Sequence, residues 1–279
     1  MQVQPAYFIF DIETVADGRL IQRVRYPDAP ELSAEQAVAR HREQLLAEKG
    51  SDFIPLNFQL PVSVAVCLVG EDFALQRLTS IDRPHFRPQV ITRDFWTGWR
   101  RYGRPTFVTF NGRCFDLPVM ELACFRYGLS LQGWMLENAK SWEDPRNRFN
   151  GSGHLDLQEL LGNYGACRMH GGLDLLATVL GKPGKTDTKG YMVQDLWQAG
   201  EHLRIDDYCL RDALDTYFVF LRSRLLLGLI TAERERELDA QARQVIAERV
   251  EEVPALQDYL DRCHELPAYD EEASAFLAE

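Results

Sequence analysis

Apolar positions along this chain follow two rhythms, and the alternation between them sets the order of its elements. The run AYFIFDIE at residues 6–13 is aromatic and β-branched almost without interruption and ends on acids. A continuous apolar run of this kind predicts a strand buried on both faces. PVSVAVCLV (residues 61–69) and FALQRLTS (residues 73–80) are two more β-type runs, separated by Gly-Glu-Asp. They predict an antiparallel hairpin, with the first strand joined to it. TFVTFN, at residues 106–111, reads as a fourth buried strand.

The helical rhythm fills the intervals. Residues 33–50 predict an inserted helix, opened by a capping box from Ser33 and Gln36 and closed by Gly50. Further helices are expected around residues 90–101 and over 117–128, where Pro118 fits only a first turn. HLDLQELL (154–161) reads as strand into helix, and GLDLLATVLG (172–181) and MVQDLWQAG (192–200) as helical pieces. From Asp207 to about Gly228, the residues Leu210, Ala213, Leu214, Tyr217 and Leu221 share one stripe, which predicts a long helix capped by Asp206 or Asp207. Residues 142–153 read as an exposed loop and GKPGKTDTKG (181–190) as a mobile basic one. Beyond Thr231 the chain is charged and helical to about Val250, then acidic to Glu279. A hairpin sheet continued by alternating strands and helices predicts a mixed α/β sheet with helices on its faces. Residues 1–228 are read as one domain and 229–279 as a helical acidic extension, which either packs back on the core or contacts a partner.

Composition narrows the classes. With 46% hydrophobic and 26% charged residues over 279 positions, the chain can bury a full core. A formal net charge of -11 argues against a protein that coats nucleic acid, but leaves room for an enzyme that grips one chain end through a local cationic groove. Weak, salt-sensitive and poorly processive binding fits that charge. Cys67, Cys114, Cys124, Cys167, Cys209 and Cys263 are irregularly spaced with no Cys-x-x-Cys pair, as expected of reduced thiols in a cytoplasmic protein. Residues 1–6 lack a basic region leading into an apolar run, so no secretory signal is expected, and no apolar stretch reaches the roughly 18 residues of a membrane span.

Three places carry candidate chemistry. Asp11 and Glu13 lie two apart on a strand, so both carboxylates point to one face, at the end of an apolar run where burial is costly without a cation. A strand end with chance acids explains them equally well. In FNGRCFD, Asp116 follows the break of a strand at Asn111-Gly112 and either caps the next helix or points toward the acid pair. Tyr208 and Asp212, four apart on the long helix, share a face, as a packed tyrosine beside a solvated acid also would. Asp215 is read as structural, and Asp156 in HLDL as a helix cap or an extra acid near the site.

Asp11-Ile12-Glu13-Thr14, Asn111-x-x-x-Phe115-Asp116 and Tyr208-x-x-x-Asp212, in this order, resemble the three exonuclease motifs of the DEDD superfamily, tyrosine subtype. The sibling histidine class needs His five residues before Asp212, where this chain has Asp207. More narrowly, FDIET, FNGRCFDLP, HLDL, KPGK and YCLRDALDTYFVFLR resemble bacterial predicted 3′–5′ exonucleases related to the proofreading domain of family B DNA polymerases, over approximately residues 7–227. The resemblance implies a ribonuclease H-like core and a metal-dependent 3′–5′ exonuclease releasing nucleoside 5′-monophosphates from single-stranded nucleic acid, DNA favoured over RNA. An exoribonuclease, a structure-specific endonuclease and an inactive binding module are the rival readings. It implies two Mg²⁺ or Mn²⁺ ions, which suit hard carboxylate oxygens. On that resemblance Asp11 would bridge both ions, Glu13 and Asp212 would hold the water-activating one, and Asp116 would act mainly on the leaving-group ion, through water. Tyr208 orients the water, since a phenol with a pKa near 10 stays protonated. Thr14, Asn111, Phe115 and Lys185 are the candidate substrate contacts, with Lys182 and Lys189 offered as further phosphate contacts. A strand-end threonine, a turn asparagine, a core phenylalanine and a solvated loop are their plainer readings.

Overall fold

The computed structural model describes residues 4–184 and 188–265. The first strand, β1 (Tyr7–Ala16), lies at the centre of a five-stranded sheet, which is why its sequence reads as an unbroken apolar run. β2 (Gln59–Val69) pairs with it antiparallel and β3 (Leu75–Ser80) closes the expected hairpin. On the other side β4 (Thr106–Thr109) runs parallel to β1, and β5 (His154–Asp156) parallel to β4. The resulting order β3-β2-β1-β4-β5 is the expected mixed sheet.

Side-chain alternation divides the core into two layers. Phe8, Phe10, Ile12, Val64, Val66, Leu68 and Phe107 face α3 (Pro88–Arg101) and α4 (Asp116–Tyr127), where Phe95, Trp96, Trp99 and Met120 complete an aromatic cluster. Ile9, Ala65, Cys67 and Val108 face the opposite way, onto α8 (His202–Leu226), α5 (Leu157–Leu161) and α6 (Gly172–Val179). Being odd-numbered like Ile9, Asp11 and Glu13 are carried toward α8.

Between β1 and β2 the chain makes an excursion with a small core of its own. α1 (Gly18–Arg25) packs on α2 (Ala34–Lys49) through Ile21, Ala37, Val38 and Leu45, closed by Tyr26, Ile54 and Phe58. A Cβ on Gly18 would collide with the Ala34 backbone, so only glycine permits that approach. The capping box of Ser33 with Gln36 is formed, and Gly50 ends α2 in the left-handed conformation, as expected.

The long helix differs from expectation at its start. α8 begins at His202, so neither Asp206 nor Asp207 is its N-cap. Asp206, fully buried, instead accepts hydrogen bonds from Ser63 Oγ (2.6 Å), Ser80 Oγ and Arg83 (2.5 Å). It ties α8 to β2 and β3, a role no local capping pattern reveals. α7 (Val193–Gln198) precedes α8, and α9 (Ala232–Ala247) and α10 (Ala255–Asp261) follow it. Leu238, Ala242, Ile246, Val253, Leu256 and Tyr259 are buried in the same cluster as the α8 face of the sheet, so α9 and α10 pack back on the core. Among the described residues, no helix is long and apolar enough to cross a membrane.

Candidate active site

Three elements converge on one cavity of about 510 Å³ at the carboxyl end of β1. β1 supplies Asp11 and Glu13. The β1–β2 register slips between Glu13 and Thr14, and this bulge lets Glu13 and Thr14 line the cavity together although they are consecutive.

The turn after β4 supplies the second group. Asn111 is left-handed (φ 66°), and a Cβ on Gly112 would strike the Thr109 side chain. Asp156 braces this turn: its carboxylate accepts from the backbone N–H of Asn111 (2.9 Å) and Arg113 (3.0 Å) while capping α5 through Gln158 N (3.0 Å). Asp156 is therefore the helix cap of its two readings, and it also fixes the turn that leads into Asp116. Asp116 is the first residue of α4, not its cap; Phe115 holds the cap position without a side-chain bond. The Asp116 carboxyl is buried against its own N–H and that of Ile12, and burial pushes its pKa up to about 7 against those two bonds.

α8 supplies Tyr208 and Asp212, one turn apart. The Tyr208 hydroxyl donates to Asp212, and burial first, then Asp212, Glu13 and Asp11, raise the phenol's pKa far above its ordinary value. Next to it, Cys209 Sγ donates to the Asp11 carbonyl (3.2 Å), pinning α8 against β1. Ligand oxygens of Asp11, Glu13 and Asp212 lie within 4.8 Å of one another. Asp116 stands outside that group, yet its charge reaches Asp11. The Asp11 carboxyl is held well above the usual carboxylate range, first by burial and then by Asp212, Asp116 and Glu13. One of its oxygens, Oδ2, is buried with no hydrogen-bond partner among the described residues. Crowded carboxylates with an orphaned buried oxygen form a hard-oxygen donor set that fits Mg²⁺ or Mn²⁺.

Among the substrate-contact candidates, Thr14, Asn111 and Phe115 all line the cavity. Asn111 Oδ1 accepts from Gln158 Nε2 (3.2 Å), which leaves its NH₂ group available to donate. Lys185 lies outside the described residues. Lys182 is not a phosphate contact: it is buried, ion-paired with Asp239 and seated over the Phe218 ring. Lys189 is exposed. Sequence reasoning missed Phe53, whose half-exposed ring faces Phe115 at 6.2 Å across the cavity. Its loop is fastened by Arg42 Nε to Asp52 (2.8 Å) and by Gln59 Nε2 to the Ile54 carbonyl (2.9 Å). An exposed phenylalanine in SDFIP was the only local signal.

Residues 51–263 match the family described as a predicted 3′–5′ exonuclease related to the exonuclease domain of PolB. Asp116, Tyr208 and Asp212 fall inside that match, whereas Asp11 and Glu13 precede it and join them only through the fold. No curated protein is matched in sequence. In structure the chain is similar to the family B DNA polymerase from the hyperthermophilic archaeon Pyrobaculum calidifontis, with a TM-score of 0.50 and 13% identity over 88% of this chain. The likeness covers 29% of the polymerase chain and supports the ribonuclease H-like fold.

Proposed function

We propose that this chain, which belongs to the family of predicted 3′–5′ exonucleases related to the exonuclease domain of PolB, trims single-stranded nucleic acid from its 3′ end, DNA in preference to RNA, at Asp11, Glu13, Asp116, Tyr208 and Asp212. The observation that carries this reading is the convergence of Asp11, Glu13 and Asp212 within 4.8 Å around an unpartnered Asp11 oxygen. Exonuclease domains of this kind are generally dependent on divalent metal. Asp11, Glu13 and Asp212, with Asp116 beside them, would hold two Mg²⁺ or Mn²⁺ ions, which supply Lewis-acid stabilisation of the phosphoryl oxygens and a more acidic water.

The chain's own residues do the positioning. Tyr208, kept protonated, orients the attacking water by hydrogen bonding while its proton rests toward Asp212. Water adds to phosphorus, the bond from phosphorus to the 3′-oxygen breaks, and that oxygen takes up a proton. The products are a nucleoside 5′-monophosphate and a strand shorter by one nucleotide. The Asn111 NH₂ group and Thr14 hydroxyl offer hydrogen bonds to the terminal nucleotide, and Phe115 with Phe53 offers ring faces to its base. An unpaired end suits such a cavity, since a base paired in a duplex presents no free face.

The test is digestion of matched 5′-labelled single-stranded DNA and RNA with Mg²⁺ or Mn²⁺, beside a circular single strand. A ladder descending from the 3′ end, faster on DNA, is expected. Cutting of the circle overturns the exonucleolytic reading, and faster loss of RNA overturns the sugar preference.

A further inference from the structure

Against α1 and α2 lies a second cavity, of about 410 Å³. Arg25, Arg40 and Lys49 line it, and none of the three makes an ion pair among the described residues, although the chain carries a net charge of -11. Glu48 is the one acid in its lining. Each guanidinium group sits over an aromatic ring: Arg25 over Phe58, 5.5 Å from its centroid, and Arg40 over Tyr26 at 4.6 Å. The cation–π contacts hold both groups at the cavity, and a guanidinium without a carboxylate partner can grip a phosphate through paired hydrogen bonds.

His41 and Gln44 add hydrogen-bonding groups to the lining. His41 is 5% exposed, and neither of its ring nitrogens meets a hydrogen-bond partner among the described residues. A buried polar ring with both nitrogens unmet is a cost that a hydrogen-bonding ligand removes. Gln44 accepts from the Tyr26 hydroxyl (2.7 Å) through Oε1, which leaves its NH₂ group to donate.

We propose that this cavity binds a phosphate group of the substrate strand, upstream of the nucleotide being removed. The inference rests on the exonuclease reading for the identity of the strand. α2 joins the two sites, since Arg42 lines the acid cavity and Arg40 and His41 line this one. That helix is about 10–12 Å across with its side chains. At a rise of about 3.4 Å per stacked nucleotide that is roughly three or four nucleotides. A strand shorter than this reaches only the acid cavity.

The experiment compares Arg25→Gln/Arg40→Gln with the unsubstituted pair in the full chain carrying Asp11→Asn, so that the strand survives. Binding is followed by fluorescence anisotropy for a single strand of roughly twelve nucleotides and for a dinucleotide, with inorganic phosphate as a competitor. Both arginines are exposed, and a thermal midpoint checks that the fold is kept. The double variant is expected to bind the long strand about tenfold more weakly and the dinucleotide unchanged, with the slope of log K on log salt shallower by about 1.4 for two lost contacts. Arg25→Lys/Arg40→Lys should fall between, keeping charge and losing the paired bonds. Equal affinity for the long strand, or equal loss at both lengths, overturns the proposal. Weakened competition by inorganic phosphate with unchanged strand binding also overturns it, by marking a site for the free ion. Hydrolysis by the chain with Asp11 intact is scored separately, so failure of the exonuclease reading is distinguishable from failure of this one.

Discussion

Asp11, Glu13, Asp116 and Asp212 line one cavity, and their mutual repulsion adds to burial in favouring the neutral form of Asp11. The folded pKa values of Asp11 and Asp116 are raised above those of an unfolded chain, Asp116 to about 7. The contribution of each to stability is therefore fully present below about pH 4; that of Asp116 is lost as pH rises through about 7, and that of Asp11 as pH rises through its own raised pKa. Calorimetry in a chelator should show the melting temperature falling across that window, with Mn²⁺ reversing the fall at the alkaline end and Asp116→Asn flattening it. A melting temperature that rises across the window, with or without the ion, contradicts this account. Tyr208→Phe keeps the ring packed beside Val15, Val62 and Ile205 and removes only the hydroxyl. We expect kcat to fall by about tenfold or more with KM little changed, a loss of at least about 1.4 kcal/mol of transition-state stabilisation. At this scale the sequence is legible where spacing dictates direction. Asp11 and Glu13 share a face because strands have a period of two, and Tyr208 and Asp212 because helices return after four. Phe53 was not legible, because its meaning lies in Phe115, far along the chain, and no local period links them.

Elements carry these residues into register, and two buried acids do much of that work. Asp206 joins α8 to Ser63, Ser80 and Arg83. Asp206→Ala leaves Arg83 its second ion pair, with Asp207, but strips the Ser63 and Ser80 hydroxyls of their acceptor, so urea unfolding should show a loss of about 1–3 kcal/mol. An effect within the error of a surface substitution would mean that α8 is held by packing alone. Asp156 acts in the same way on the turn before α4. Asp156→Ala removes a cap and also the acceptor for Asn111 N and Arg113 N, so its cost should exceed the usual cap loss of about 1 kcal/mol. Activity should fall with it, through displacement of Asp116, whereas a cap acting alone would leave kcat unchanged. Strands, the capping box of α2 and the hairpin were readable because each is encoded within a few residues. The start of α8 was not, because acids near a helix start look like caps, and only the fold brings Arg83 and two serines to Asp206. Lys182 misled for the related reason that a lysine in a glycine-rich segment looks solvated until Asp239 and Phe218 are packed around it.

At the scale of the whole molecule, the mixed sheet places its acids where β1, the turn before α4 and α8 meet, and α9 and α10 complete the core behind α8. Cutting the chain at residue 230 would expose the partners of Leu238, Ala242, Ile246, Val253, Leu256 and Tyr259. At about 1.5–3 kcal/mol for each large buried side chain, the loss rivals a domain's typical margin of about 5–15 kcal/mol. The truncated chain is expected to lose its cooperative thermal transition, and a shortened chain that melts as the full one does would make the last helices an appendage. A net charge of -11 repels a polyanion, so binding of a nucleic-acid strand is expected to be weak and to rest on a few local cationic contacts. The most direct test of the central claim is hydrolysis of a 5′-labelled single strand by the full chain beside Asp11→Asn and Asp212→Asn, in Mn²⁺ and in chelator. The account predicts stepwise shortening from the 3′ end only with the ion, and a drop of about 10³-fold or more, roughly 4 kcal/mol of barrier, in either variant that still folds. Shortening that persists in chelator, or in either folded variant at the rate of the parent chain, would contradict it.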